Sequence, residues 1–147
     1  MSSEKAPQTY ENHARYVIGY HVVLIGIALI TLIAAGYMLV TRWGSDSMLE
    51  ACILFGLALA LAINVYYTRT FALKAQDRAI RAEERLRHFA LTGTLPDPGL
   101  TTRQMIGLRF ADDQEFVELV ERAIKEGLSE KAIKQSVTTW RSDVYRV

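Results

Sequence analysis

Two apolar runs joined by a short polar turn constrain this chain more than any other feature. The first, Val17 to Val40, holds no Asp, Glu, Lys or Arg; the second, Leu49 to Tyr67, holds one acid, Glu50, at its outer edge. A helix needs roughly 20 apolar residues to cross a bilayer core, and each run is about that long. In lipid every backbone N–H and C=O must be satisfied within the segment, so each run is expected to be helical. The pair therefore reads as a transmembrane hairpin: a first span over 17–40, an extracytoplasmic turn over 41–48 and a second span over 49–68.

Half of the 147 residues are apolar and the net charge is +1. These averages hide a division, with apolar residues crowded into the first half and charges into the second. The fold class expected is an all-α membrane protein: a two-helix hairpin, a second span continuing into a cytoplasmic helix, then a small three-helix module. Residues 1–16 form an N-terminal interfacial segment, 69–92 a juxtamembrane helix, 93–99 a linker and 100–147 the module. The single cysteine, Cys52, excludes an intrachain disulfide. Glu4 and Glu11 balance Lys5 and Arg15, and the first run is too long for a signal-peptide core, so it is expected to be retained.

Basic residues set the orientation. The turn has only Arg42, offset by Asp46, whereas six basic residues lie between Arg69 and Arg87 against three acids. Both termini are thus expected in the cytoplasm, with Trp43 anchoring the far interface.

Apolar helices gain little from one another in lipid and associate through small residues and polar contacts. Cys52, Gly56, Ala60 and Asn64 recur every four residues, which makes them the expected packing stripe of the second span. His21 and Asn64 lie at matching depths on the cytoplasmic side, and leaving either unpaired in hydrocarbon costs several kcal/mol on transfer scales. They are expected to pair.

From Arg69 to Thr92 strong helix formers continue without a breaker. Ala72, Ala75, Ala79, Ala82, Leu86 and Phe89 step by three and four, a narrow heptad-like stripe suited to docking or self-association. Gly93 is the expected helix stop.

In the module, Thr102 is read as the cap of a helix over 103–110 and Asp112 as the cap of a second helix, with Glu115 at capping-box spacing. Gly127 should end that helix and Ser129 cap a third. The expected core is Leu108, Phe110, Phe116, Val120 and Ile124, continued by Leu128, Ile133, Val137 and Trp140. Arg122 to Trp140 also has the turn chemistry of a helix-turn-helix. Basic and acidic residues balance from Leu100 onward, which argues against nucleic acid as a partner, because DNA binding rests on phosphate neutralisation. No nucleophile, metal-ligand cluster or cofactor motif stands out, so catalytic, cofactor and metal residues are all expected to be absent.

The head YENHARY with Tyr20-His21, the block KAQDRAIRAEERLR, and the tail LTTRQMIGLRFADDQEFVELV with LSEKAIKQSVTTWRSDVYRV resemble a family of small bacterial two-pass membrane proteins of unknown function. The likeness spans nearly the whole chain and is most specific in the tail. It implies a bacterial inner-membrane protein and supplies no activity. Asn12, His13, Arg15, His21, Gln76, Asp77, Arg78, Glu84, Arg85, Arg109, Phe110, Trp140, Arg141 and Asp143 match its pattern, and of these Asn12, His13, Arg15, Arg78, Arg85, Arg109, Trp140, Arg141 and Asp143 are taken as the candidate partner surface. Gly107 departs from the pattern, standing where alanine is usual, and lowers the helix propensity of the first module helix.

The functional expectation is a non-enzymatic structural or accessory membrane component that contacts the lipid bilayer and docks on another copy or a larger complex. Two alternatives follow from the residues. One is a membrane-tethered DNA-binding regulator using the helix-turn-helix-like corner. The other is a redox or proton-handling subunit using His21.

Overall fold

A computed structural model describes residues 8–11 and 16–143. Asn12, His13 and Arg15 lie outside the described residues. Among the described residues the chain is all-helical, with no strand beyond one isolated bridge pair. A π-helical stretch, Gly19–Leu24, leads into α1, Ile25–Thr41. The helices that follow are α2, Met48–Thr92; α3, Thr102–Leu108; α4, Asp113–Lys125; and α5, Glu130–Ser136. The chain divides into two compact units, residues 15–72 and residues 1–14 with 73–147.

In the first unit, two helices are long and apolar enough to cross a membrane, and little of either span is buried within the chain. Gly44 takes a positive φ of 75° in the turn between them, a conformation glycine adopts without a Cβ clash. The Ser45 hydroxyl caps the outgoing chain by donating to the Arg42 carbonyl at 2.7 Å.

The hairpin packs on different residues from the expected stripe. Cys52, Gly56, Ala60 and Asn64 are exposed, while Ala51 and Ala58 are buried, as are Ala28 and Ala35 on α1. The Phe55 ring lies against Gly36, 3.7 Å from where a Cβ would stand. The reason is helical periodicity. A stripe that repeats strictly every four residues winds around a helix of 3.6 residues per turn. Positions 51, 55, 58, 62 and 65 alternate steps of four and three and stay on one face.

The same rotation separates His21 from Asn64. His21 Nδ1 lies 3.0 Å from the Val17 carbonyl of its own helix, and its ring stacks on Tyr16 at 4.6 Å. The Asn64 side chain accepts from Thr68 at 3.3 Å. The depths match and the faces do not. The bond that crosses the hairpin comes instead from the Tyr20 hydroxyl, which donates to the Val65 carbonyl. Arg69 lies over the Tyr20 ring at 5.9 Å.

In the second unit, α3 to α5 close on a core of Leu100, Met105, Leu108, Ala111, Phe116 and Val120 with Leu119, Ala123, Ile133 and Val137. Leu128 and Trp140 pack against it partly buried, and Ile124 is exposed, one residue off the apolar face of α4. The cap of α3 is Thr101, one residue earlier than expected. Its hydroxyl accepts from Gln104 N while the Gln104 side chain returns to the Thr101 N–H at 2.9 Å, a full capping box. Asp112 and Ser129 cap α4 and α5. Gly93 and Gly127 stop α2 and α4 with φ of 74° and 61°.

Whatever helix propensity Gly107 costs α3, it lets α5 approach. A Cβ there would stand 3.0 Å from Ile133 and 3.1 Å from the Glu130 carbonyl. An ion pair of Glu130 with Lys134, at 2.7 Å, and with Arg103, at 3.4 Å, reinforces this contact. Burial alone would push the Glu130 carboxyl up; Lys134 and Arg103 outweigh it and hold the group below the ordinary range.

Candidate functional site

Two sets of polar side chains are concentrated in the second unit, and both are built by short sequence segments that the core brings together. The first lies on α2, where Ile80, Glu84 and His88 are buried on one face. Steps of four and three residues place them on one stripe with Arg87. Arg87 is the hub. It donates to Glu84 at 3.2 Å, to Asp113 at 2.7 Å and to the Ala111 carbonyl at 2.8 Å, and it lies 4.2 Å over the Phe116 ring. The fork geometry of a guanidinium allows this several-way engagement, which an ammonium could not reproduce. His88 Nδ1 donates to the Thr94 carbonyl at 2.9 Å, tying the end of α2 to the linker.

The space between Glu84, His88, Pro96, Leu100 and Phe116 is too tight for a water molecule. Loss of solvent therefore pushes the Glu84 carboxyl above its ordinary value, although Arg87 and, more weakly, Arg141 pull the other way. Chemically this is a sealed charge clasp that fixes α2 to the start of α4. It offers no open position beside the carboxylate for a substrate.

The second set gathers the tail. Ala111 and Trp140 form an antiparallel bridge, with Arg141 N donating to the Phe110 carbonyl at 2.7 Å and Asp112 N to the Thr139 carbonyl at 3.1 Å. Glu115 accepts from the Thr138 hydroxyl at 2.5 Å and from the Thr139 N–H at 3.1 Å. Desolvation alone would raise this carboxyl; the bonds from Thr138, Thr139 and Asp112 together outweigh it and hold it below the ordinary range. Arg109 pairs with Asp143 at 3.2 Å and lies 4.6 Å over Phe110, whose ring meets Trp140 at 4.8 Å. Gln8 clasps the Asp143 backbone, its amide donating to the carbonyl at 3.3 Å and its oxygen accepting from the N–H at 2.8 Å.

The proposed partner surface is thus divided. Arg109, Trp140 and Asp143 are half-buried and fasten the tail, through the Arg109–Asp143 salt bridge and the tilted contact of the indole with Phe110. Arg141 is exposed, and Arg78 and Arg85 stand beside an open apolar groove. Arg81 joins them on that flank, and Ala82, Leu86 and Phe89 form the floor, with Leu95 beyond. Leu86 is 67% and Phe89 48% exposed. The heptad-like stripe of α2 is therefore bare, because the module packs on the opposite face through Ile80, Glu84 and His88. The helix-turn-helix-like corner is present as α4, the Gly127 turn and α5, with α5 seated against α3 at Gly107.

Residues 3–147 match a family of unknown function, DUF6526. The chain belongs to that family. No curated protein and no solved structure matches it. The DUF6526 match runs from the head through both apolar helices to the tail and so takes in both units.

Arg87, Gln104 and the bond that Tyr20 makes across the hairpin escaped the sequence reading of this DUF6526 chain; Glu115, expected only at capping-box spacing, also holds the tail. Gln104 had a usable signal, since Thr101 and Gln104 have capping-box spacing. Its side chain then donates onward to the Ala123 and Leu128 carbonyls at 2.9 and 3.2 Å. The Asp113 and Ala111 partners of Arg87 and the Thr138 and Thr139 partners of Glu115 lie more than 20 residues away, where local periodicity carries no information.

Proposed function

We propose that this DUF6526 chain is a non-enzymatic accessory or structural component of the bacterial inner membrane. Its two apolar helices anchor it, both termini face the cytoplasm, and the bare stripe of α2 is the face on which a partner docks. It takes no cofactor and does no chemistry of its own. The observation that carries this reading is the groove of Leu86, Phe89 and Leu95 flanked by Arg78, Arg81 and Arg85. A partner that covers this strip removes exposed Leu86 and Phe89 side chains from water, which favours association.

The anchor has separate support. The spans expose Ile30, Ile33, Val40 and Leu57, and such surface is stable in hydrocarbon and not in water. Arginine and lysine are concentrated after the second span, which favours a cytoplasmic position for that end. Chemical crosslinking in native membranes, followed by mild solubilisation, tests the docking. A crosslinked species larger than the single chain is expected. A strictly monomeric chain with no bound partner overturns the reading.

A further inference from the structure

We propose that the occupant of the α2 groove is a second copy of this chain, paired in parallel along Ala75, Ala79, Ala82, Leu86 and Phe89. The inference rests on the membrane reading above, because two copies anchored in one bilayer with one topology run in the same direction.

Three observations favour a second copy. The stripe alternates steps of four and three, the repeat of a two-stranded coiled coil, so a straight partner helix can follow it. Its positions are exposed, while the buried face of α2 lies half a turn away. Small alanines near the start allow close backbone approach, and Leu86 and Phe89 widen the contact toward the helix end.

Charge then fixes direction and register. With Ala79 and Leu86 at one core position and Ala75, Ala82 and Phe89 at the other, Arg78 flanks the seam on one side and Glu83 on the other. In a parallel, in-register pair, the residue flanking the seam on one chain faces the residue five positions later on its partner. Arg78 of one copy thus meets Glu83 of the other, twice by symmetry. Both are exposed, and neither takes part in an ion pair among the described residues. An anionic lipid surface would use the arginines but would leave Glu83 repelled.

The test uses the full chain in bilayers with Cys52→Ala as background. Single cysteines at Ala79, Ala82, Leu86 and Phe89 should form disulfide-linked dimers on oxidation, and cysteines at Lys74 and Arg81 should not. Arg78→Glu and Glu83→Arg should each lower the dimer fraction by about tenfold, the scale of two exposed attractions made repulsive. The double exchange should restore it. Equal crosslinking at all positions, or no rescue by the exchange, overturns the pairing. A crosslink from Leu86→Cys to a protein of different mass overturns self-pairing while leaving a docking face. Release of the chain by alkaline washing overturns both.

Discussion

Arg87 reaches back along α2 to Glu84, with 3.2 Å between guanidinium and carboxylate and each side chain only about a tenth exposed. The pair is sealed under Pro96, Leu100 and Phe116, and the cost of removing the charge from water outweighs the attraction. The folded pKa of Glu84 is therefore raised above its unfolded value. Between those values the folded state holds the extra proton, so this group lowers stability as pH rises above about 4.5. Glu84→Gln should flatten that part of the pH profile, followed by Trp140 fluorescence in the full chain with Trp43→Phe. A slope identical to the parent would contradict the buried-carboxylate account.

Glu115 has the opposite sign. Its folded pKa is depressed, so its contribution is present above 4.5 and lost as pH falls through the folded value. Glu115→Gln should remove part of the acid-side loss, and Glu115→Ala should cost about 1 kcal/mol, below the buried figure because solvent reaches the carboxylate. Hydrogen exchange at Thr138 and Thr139 should rise in the same variant and reports the detached tail directly.

Gly107→Ala sets two effects against each other. Alanine gains about 1 kcal/mol of helix propensity. The new methyl stands too close to Ile133 and to a backbone carbonyl, and overpacking costs typically 1–3 kcal/mol. A carbonyl at 3.1 Å belongs to the rigid start of α5, so the net result should be a loss of about 1 kcal/mol in thermal or denaturant unfolding. A stabilised variant would mean that α5 shifts freely.

Gln104→Ala removes the Thr101 cap partner and strips the Ala123 and Leu128 carbonyls of a buried donor. Loss of about 2–3 kcal/mol is expected, on the scale of leaving buried acceptors unmade. The conservative Gln104→Glu should be no better, since a carboxylate cannot donate.

Tyr20→Phe deletes the bond across the hairpin, and polar contacts between membrane helices average about 0.6 kcal/mol. A loss of that order is expected in a mild-denaturant unfolding series in bilayer mimics, with a smaller effect from His21→Ala. Equal effects would reinstate His21 as the cross-helix residue.

The sequence made the local features plain. Apolar run length set the two long helices, and glycine and hydroxyl chemistry located the stops at Gly93 and Gly127 and the cap at Ser129. Which face each helix buries was harder to read. On the second span the small-residue stripe suggested one side, but the 3.6-residue pitch put Ala51 and Ala58 on the other. On α2 the apolar stripe is obvious, yet the module covers Ile80, Glu84 and His88. Two polar side chains on a buried face give no hydrophobic pattern, and what covers them comes from distant segments. The tail residues Arg109, Trp140 and Asp143 were expected on a partner surface and are found half-buried, fastening the tail. A residue held inward by an ion pair and one held outward for a partner have the same letters.

The Gln8 clasp on Asp143 has a consequence in time. Its two halves leave the ribosome 135 positions apart. At roughly 5–20 residues per second the first half waits on the order of ten seconds for its mate. The apolar hairpin emerges during that interval, so the head is fastened to the tail only after both long helices have been made.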